Sequence, residues 1–300
     1  MKRKFLRSAC GLLCSAAIVA FAAPAQAADP SAPAMWRLKD SNSEVYLFGT
    51  FHVLPPSIEW TTPAFDGAMK AAETTMTEAD VTSPAAQAEI GALVQQYGLN
   101  PQGVTLSSVL GPERSAELAE IAGALGVPPA ALEPYRPWLA LISLAAVAMQ
   151  QAGFQQGSGV ETVVLAQAAA EKDAIAYLET ASEQIQVLAG LDEEEMLANF
   201  DVSLDQFREF KALTTRMLEA WRTGDVADLE ALLVEELRST SPKAFDDLIV
   251  RRNRNWVVKI DEIMKGEGDY FIAVGAGHLV GEDSVVDLLQ ERGYKVERIQ

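Results

Sequence analysis

YLFGTFHVL (Tyr46–Leu54) and IAVGAGHLV (Ile272–Val280) stand near opposite ends of a 300-residue chain. In each, an apolar run typical of a buried strand ends in a glycine, and a histidine follows three residues later. These two are the only histidines in the sequence. A glycine at the carboxyl end of a strand lets the backbone turn sharply and approach a ligand closely. Because open α/β sheets form their sites at the carboxyl ends of strands, we expect both imidazoles to enter one crevice.

The segments around these motifs predict an α/β fold. A second strand is expected at Thr74–Val81, and the chain then becomes mostly helical from about residue 84 to residue 266. Ala174–Leu178 is the one short strand expected within that helical stretch. We therefore predict a central mixed sheet built from N- and C-terminal strands, with a large and mostly helical insertion between them.

The C-terminal part predicts strand, helix and strand again. Asp283 is expected to cap the helix, which Gly293 ends, and Tyr294–Ile299 alternates as an edge strand. Residues 36–300 are long enough to bury one core without disulfides, so we expect a single domain.

The first 27 residues have the pattern of a secretory signal peptide. A basic start is followed by the apolar run Leu12–Ala23 and by an A-x-A cleavage motif at Ala25-Gln26-Ala27. Residues 28–35 are expected to form a mobile leader. The prediction is an exported protein, periplasmic or secreted, that is soluble after cleavage and has no stable membrane insertion.

Cysteine and charge exclude several kinds of site. Cys10 and Cys14 lie within the predicted signal peptide, which leaves no disulfide, thiolate metal site or cysteine nucleophile in the remaining chain. Loss of that segment removes four basic residues and no acid, which takes the formal charge from −18 to −22. So acidic a body argues against nucleic acid as a partner.

Two imidazoles without thiolates need oxygen ligands to complete a metal site. Glu78 and Glu179 each follow a predicted strand and are the candidates for such ligands. Glu161 opens an apolar helix, where it is a ligand or a first-turn acid favoured by the helix dipole. Histidine plus carboxylate suits Mn²⁺, Fe²⁺, Co²⁺ or Zn²⁺, and the residues do not choose among them.

A basic cluster, Arg251–Arg254, stands out in this acidic sequence. It suits a substrate carboxylate or phosphate, or an oxyanion, and ordinary surface ion pairs are the alternative. Because the arginines are spaced along one helix, they cannot all face the same way. Trp256 is expected to lie in the core.

The two Gly-x-x-His motifs together resemble those of the TraB/GumN family, which also includes the pheromone-shutdown protein PrgY and the animal Tiki proteins. The resemblance runs from about Trp36 to Arg298. It includes Gly49–Pro56, Thr77–Asp80, Gly159–Glu161, Leu178–Thr180, Arg252-Asn253 and Ala273–Gly281.

The resemblance implies a fold like that of the erythromycin-esterase/ChaN-like superfamily and, by likeness to Tiki members, a metalloprotease that uses Mn²⁺ or Co²⁺. By position it implies that His52, His278 and Glu78 are metal ligands or catalytic groups, with Glu161, Glu179 and Arg252 in support. Together with the strand-end positions, we predict metal ligation by His52, His278, Glu78 and Glu179, and catalytic roles for Glu78, Glu161 and Arg252.

The leading hypothesis is therefore a periplasmic metal-dependent hydrolase, a Tiki-like metallopeptidase acting on a peptide or small molecule. The alternative is a non-catalytic periplasmic protein that sequesters a peptide, a metal or a haem-like ligand through the same histidines. A third hypothesis, a dinucleotide site at Gly275-Ala276-Gly277, is weak because Gly281 falls one residue too late and His52 stays unexplained. Neither His-Glu-x-x-His nor Gly-x-Ser-x-Gly occurs in the sequence.

Overall fold

A computed structural model describes residues 32–300 of the chain. The predicted signal peptide lies outside the described residues. Within residues 32–300, no helix has the length and apolar character that a membrane span requires.

The centre of the fold is a mixed sheet of six strands, which confirms the predicted α/β class. The strands are β1 (Met35–Lys39), β2 (Ser43–Thr50), β3 (Thr74–Thr77), β4 (Ala174–Tyr177), β5 (Gly268–Gly275) and β6 (Val296–Arg298). Their order across the sheet is β4-β3-β5-β2-β1-β6. The four strands from β4 to β2 run parallel, whereas β1 runs antiparallel to both of its neighbours.

The parallel core joins the two ends of the chain. Strand β5 lies between β2 and β3, and its register with β2 runs from Ser43 opposite Gly268 to Thr50 opposite Gly275. Leu47 and Phe48 point to opposite faces of the sheet, and both are fully buried. Both faces are therefore covered, as parallel sheets require.

Helices fill the stretch predicted as the insertion, in which β4 is the one strand of the sheet. The α-helices are α1 (Pro63–Ala71), α2 (Pro84–Tyr97), α3 (Leu106–Leu110), α4 (Pro112–Ala124), α5 (Pro137–Gln151), α6 (Val160–Glu171), α7 (Ala181–Ala189), α8 (Glu193–Ala198), α9 (Phe200–Arg208), α10 (Phe210–Arg222), α11 (Val226–Glu230), α12 (Glu236–Thr240), α13 (Pro242–Phe245), α14 (Arg251–Met264) and α15 (Val285–Glu291). Short 3₁₀ turns occur at Pro129–Ala131, Gln156–Ser158 and Ala276–His278, and π-helical segments at Ala231–Glu235 and Asp246–Val250.

The buried apolar side chains form two clusters. The larger one surrounds the sheet, where Phe65 of α1 packs its ring against Phe48 and Phe271. The smaller one lies wholly among helices of the insertion and contains Leu106, Leu110, Leu118, Ala122, Leu132, Ala140, Leu144, Phe200 and Leu204. The insertion thus brings a core of its own, and the sheet keeps the core that supports the candidate site.

Residues 32–35 belong to the segment predicted as a mobile leader, but in the structure they are packed against the rest of the domain. Ala32, Ala34 and Met35 are buried, and Met35 begins β1, where it lies opposite Phe48. Small and apolar side chains can pack there beside the end of the sheet, so the chain is part of the fold from Ala32 onward.

Strand β3 is shorter than the predicted Thr74–Val81. It ends at Thr77, and Asp80 then accepts hydrogen bonds from the backbone N–H groups of Thr82 and Ser83, each at 3.0 Å. Such a side-chain cap favours a turn over continued strand. The shorter strand leaves Glu78 as the first residue beyond the sheet.

Candidate functional site

Both Gly-x-x-His motifs follow neighbouring parallel strands, β2 and β5. Thr50 lies opposite Gly275 in this pairing, and Gly49 lies opposite Val274, so the two motifs are offset by one residue. The offset means that the two motif glycines do not occupy equivalent places in the sheet.

Gly49 allows the second motif to pack against the first. A Cβ atom at Gly49 would lie only 3.2 Å from Cα of Ala276. The carbonyl of Gly49 also accepts a hydrogen bond of 2.8 Å from Nε1 of the buried Trp221. Glycine here makes possible a close approach between two backbone segments, not a contact with a ligand.

Gly275 has a different role from Gly49. Because glycine has no side chain, a space remains between the functional groups that surround it. A Cβ atom there would lie 3.1 Å from Oε1 of Glu78, 3.6 Å from Cδ2 of His278 and 3.9 Å from Nε2 of His52. Two imidazoles and a carboxylate thus lie within 4 Å of one point. The structure brings together the groups that the sequence places at opposite ends of the chain.

Glu161 holds the imidazole of His52. Nδ1 of His52 donates to Oε1 of Glu161 at 2.6 Å, and the hydroxyl of Thr50 donates to the same oxygen. This hydrogen bond raises the pKa of His52, while solvent screens the pair because 69% of the His52 side chain is exposed. With Nδ1 occupied, Nε2 is the ring nitrogen left to face the space beside Gly275.

Asn253 holds the second imidazole. Nδ2 of Asn253 donates to the carbonyl of Asp283 at 2.8 Å, so its Oδ1 is the atom that accepts from Nδ1 of His278 at 2.7 Å. His278 is 5% exposed, and its ring centre lies 4.5 Å from that of Trp256. Burial lowers the pKa of His278 to about 3, with Glu78 opposing and Arg252 reinforcing the shift. The ring is therefore neutral near pH 7.

Arg252 links the acidic side chains to His278. It makes a two-pronged contact with Glu179, through Nε to Oε2 at 3.1 Å and through Nη2 to Oε1 at 2.5 Å. Nη2 also donates to Oε2 of Glu78 at 2.7 Å. Nη1 donates to Nε2 of His278 and to the carbonyl of Leu248, each at 3.1 Å. All of the guanidinium nitrogens are therefore engaged.

Glu78 is a buried carboxylate that receives hydrogen bonds on both oxygens. The backbone N–H of Gly275 donates to Oε1 at 2.7 Å, and Nε2 of Gln184 donates to Oε2 at 3.1 Å. Burial alone would raise the pKa of Glu78. A protonated His278, Arg252, His52 and the Gly275 N–H together outweigh burial and lower the pKa to about 2. Because His278 is neutral near pH 7, Arg252 and His52, whose pKa is raised, are the charged partners that matter there.

A nearly continuous helix through α13, the π-helical segment and α14 positions Arg252. The segment Asp246–Val250 ends just before α14, and π-helical bulges are frequent at functional sites. Arg251 and Arg254 are exposed and pair with aspartates. The predicted divergence of the arginines is confirmed. Trp256 is buried as predicted, and the Cζ atom of Arg252 lies 4.7 Å from its ring centre.

The predicted site residues therefore form one connected group, but their roles as ligands or catalysts stay predictions. Both oxygens of Glu179 bind Arg252, and Glu161 binds His52. Sequence reasoning did not assign roles to Thr50, Gln184 or Asn253. Thr50 lies within the first motif and Asn253 directly follows Arg252, whereas nothing in the sequence marks Gln184.

The histidine and carboxylate side chains are oriented as in many metal sites, but one of the histidine nitrogens is already occupied. Metal-binding histidines usually donate their second ring N–H to a carboxylate or carbonyl oxygen, as His52 does to Glu161 and His278 to Asn253. Against this, Nε2 of His278 accepts from Arg252. In residues 32–300, no group of three or more His, Cys, Asp or Glu side chains stands ready to hold a metal ion. The donor types are those that a cation would use, but the Arg252 contact occupies the nitrogen of His278 that such a cation would need.

The comparisons with known proteins agree with the motifs. The chain is 25% identical over 190 residues to "Uncharacterized protein YbaP" of Escherichia coli K12, which covers 63% of this chain and 70% of that protein. Shorter matches reach a "Metalloprotease TIKI homolog" of Nematostella vectensis, 33% identical over 57 residues, and "Metalloprotease TIKI2" of Xenopus tropicalis, 38% identical over 53. These cover 18% and 17% of this chain, and 12% and 10% of the Tiki proteins.

No solved structure matches the chain. The model of the TraB/PrgY/gumN family, however, matches residues 34–298, which is nearly all of the part that the structure describes. The chain therefore belongs to the TraB/PrgY/gumN family.

Proposed function

We propose that this protein is a metal-dependent hydrolase, specifically a metallopeptidase of the kind named in its Tiki relatives. One observation carries the proposal: His52, His278 and Glu78 border one space, which exists because residue 275 is glycine. The short matches to Tiki metalloproteases add support from sequence.

The side chains around that space would have different roles. Nε2 of His52, Nε2 of His278 and Oε1 of Glu78 would hold the cation, which is Mn²⁺ or Co²⁺ by resemblance; the same ligands also suit Zn²⁺ and Fe²⁺. When bound, such a cation polarises a scissile carbonyl and makes a water molecule more acidic. Thr50 and Glu161 keep His52 in place.

Proton transfer and charge stabilisation fall to two other side chains. Glu161 suits the role of proton acceptor because it lies beside His52 and its side chain is 22% exposed. Both oxygens of Glu78, in contrast, already accept hydrogen bonds. Arg252 provides a fixed positive charge near the space, suited to a carbonyl oxygen that gains charge.

Cleavage of a peptide library in the presence of MnCl2 or CoCl2 tests this proposal. Activity is expected in the wild type, to be absent after treatment with a chelator, and to fall at least about a hundredfold in His52→Ala. Arg254→Ala is the matched control because Arg254 is an exposed arginine that pairs with Asp283 away from the space. Stoichiometric binding of peptide or metal without turnover would instead support sequestration, and cleavage that survives His52→Ala and a chelator would contradict the proposal.

The N-terminal residues support a place of action outside the cytoplasm. We infer export by the signal-like segment 1–27, with a peptide or small molecule, not nucleic acid, as the partner. Mass spectrometry of the protein recovered from the periplasm or medium is expected to give Ala28 as the first residue. Recovery of the chain with its N-terminal segment intact in the cytoplasm would contradict export.

A further inference from the structure

Arg252 occupies one nitrogen that a metal ion would need and binds the carboxylate that would supply another ligand. Nη1 lies 3.1 Å from Nε2 of His278, and Nη2 lies 2.7 Å from Oε2 of Glu78. Because Nδ1 of His278 already donates to Asn253, Nε2 is the nitrogen that carries the lone pair, and Arg252 uses it. The guanidinium and a cation on His278 thus require the same electron pair.

We propose that Arg252 is a tethered internal cation, which competes with the metal ion for His278 and Glu78 and is displaced from Nε2 of His278 when the metal binds. The inference rests on the proposed function, since it assigns an order of events at the same site. Glu179 is the tether in this arrangement and positions Arg252.

The geometry of Arg252 supports such a displacement. Its contacts with Glu179 run through Nε and Nη2, whereas the contact with His278 runs through Nη1. Rotation about the Glu179 contact can therefore free Nε2 of His278 while the ion pair is kept. The Arg252 and Glu179 side chains are only 11% and 8% exposed, so a paired position is needed in either state.

The charges of the surrounding side chains also favour displacement of Arg252 from His278 by a metal ion. Glu78 and Glu179 pair with Arg252, whereas Glu161 pairs with His52. With both imidazoles in the neutral form that metal ligation requires, these three carboxylates and the guanidinium carry a formal charge of −2. A divalent cation would balance that charge, and its repulsion of Arg252 would push Nη1 away from His278. By linkage, whatever holds Arg252 on His278 must weaken metal binding by the same factor.

Titration calorimetry with CoCl2 tests the competition. Arg252→Met removes the guanidinium and is expected to tighten Co²⁺ binding at least about fivefold. Since Arg252→Met leaves two buried carboxylates without their partner, Arg252→Lys is the second variant. An ammonium keeps the charge but cannot contact Glu179 and His278 in the same forked way, so it too is expected to tighten binding. Arg254→Met is the control and is expected to bind Co²⁺ as the wild type does.

A crystal structure with CoCl2 gives a second readout that does not depend on activity. The distance between Nη1 of Arg252 and Nε2 of His278 is expected to exceed hydrogen-bond range, while both Glu179 contacts remain. Equal Co²⁺ affinity in the wild type and in folded Arg252→Lys, or a cobalt site with that contact intact, would overturn the inference but leave the proposed function standing. Absence of Co²⁺ binding in every folded variant would overturn both.

Discussion

Oδ1 of Asn253 lies 2.7 Å from Nδ1 of His278, and this contact determines which ring nitrogen faces the site. The Asn253 amide cannot turn over without losing its 2.8 Å bond to the carbonyl of Asp283. His278 is therefore fixed in the form with a proton on Nδ1. An amide supplies this orientation without adding charge to a region that already holds several ionised groups.

Replacement of Asn253 by alanine is expected to destabilise the fold by about 2 kcal/mol, because it leaves Nδ1–H of His278 without its buried acceptor. Urea unfolding followed by circular dichroism measures the change. Asn255→Ala on the same helix is the control, since Asn255 is exposed. Equal stability of the two variants would show that the Asn253 contact contributes nothing.

Gly275→Ala tests the space beside the imidazoles. The backbone of Gly275, with φ near −49°, accommodates alanine, but the new methyl would lie 3.1 Å from Glu78 and within 4 Å of His52. We expect Co²⁺ affinity to fall at least about tenfold, because the methyl enters the space and Glu78 must shift to admit it. The matched control is Gly277→Ala, whose methyl would meet Leu233 at an ordinary 3.6 Å. Unchanged Co²⁺ affinity in Gly275→Ala would refute the assignment of this space.

Gly49→Ala tests the approach of the two motifs. Its methyl would lie 3.2 Å from Cα of Ala276, so one backbone segment has to shift, and we expect a loss of about 1–3 kcal/mol. Gly67→Ala in α1 is the contrasting change, because a Cβ there meets nothing within 4 Å and glycine is unfavourable inside a helix. That variant should gain about 0.5–1 kcal/mol in thermal or urea unfolding. A stable Gly49→Ala would contradict the close approach.

Glu44 gives a pH-dependent contribution to stability. Burial raises its pKa, but hydrogen bonds from Lys39 and Tyr46 and the charges of Lys39 and Arg37 outweigh this and lower the pKa below 4.5. The carboxylate therefore stabilises the fold above pH 4.5, and that stability is lost as the pH falls through the lowered pKa.

Glu44→Gln is accordingly expected to lower the free energy of unfolding by about 1 kcal/mol at pH 7 and by progressively less below pH 4.5. Urea unfolding at a series of pH values measures the difference from the wild type. Glu59→Gln, at an exposed position outside this group, is the control. A difference that stays constant down to pH 2 would contradict the assignment.

The sequence predicted those features that depend on strand ends. Glycine after an apolar run marks a place where the chain leaves a sheet, and the parallel neighbours β2 and β5 then bring His52 and His278 to one edge. Glu78 and Glu179 join them for the same reason, because each follows a strand of that sheet. The class of fold and the assembly of these residues followed from periodicity and glycine placement.

Features that depend on helix rotation and local turns escaped prediction. Asp283 was expected to cap α15, but Ser284 is the cap, and Asp283 adopts a positive φ of 59° that presents its carbonyl to Asn253. The π-helical segment before α14 shifts which residues face the sheet, and no residue pattern marks that shift. Gln184 reaches Glu78 and Glu179 only because the start of α7 packs beside them.

The bond between Gly275 and Glu78 joins residues 197 positions apart in the chain. Synthesis of the chain must therefore pass β5 before these two groups can meet. A chain that ends before β5 holds His52, Glu78, Glu161, Glu179 and Arg252 but lacks Gly275 and His278, so the site is incomplete. The pairing of distant strands thus means that the proposed site can assemble only after almost the whole domain has been made.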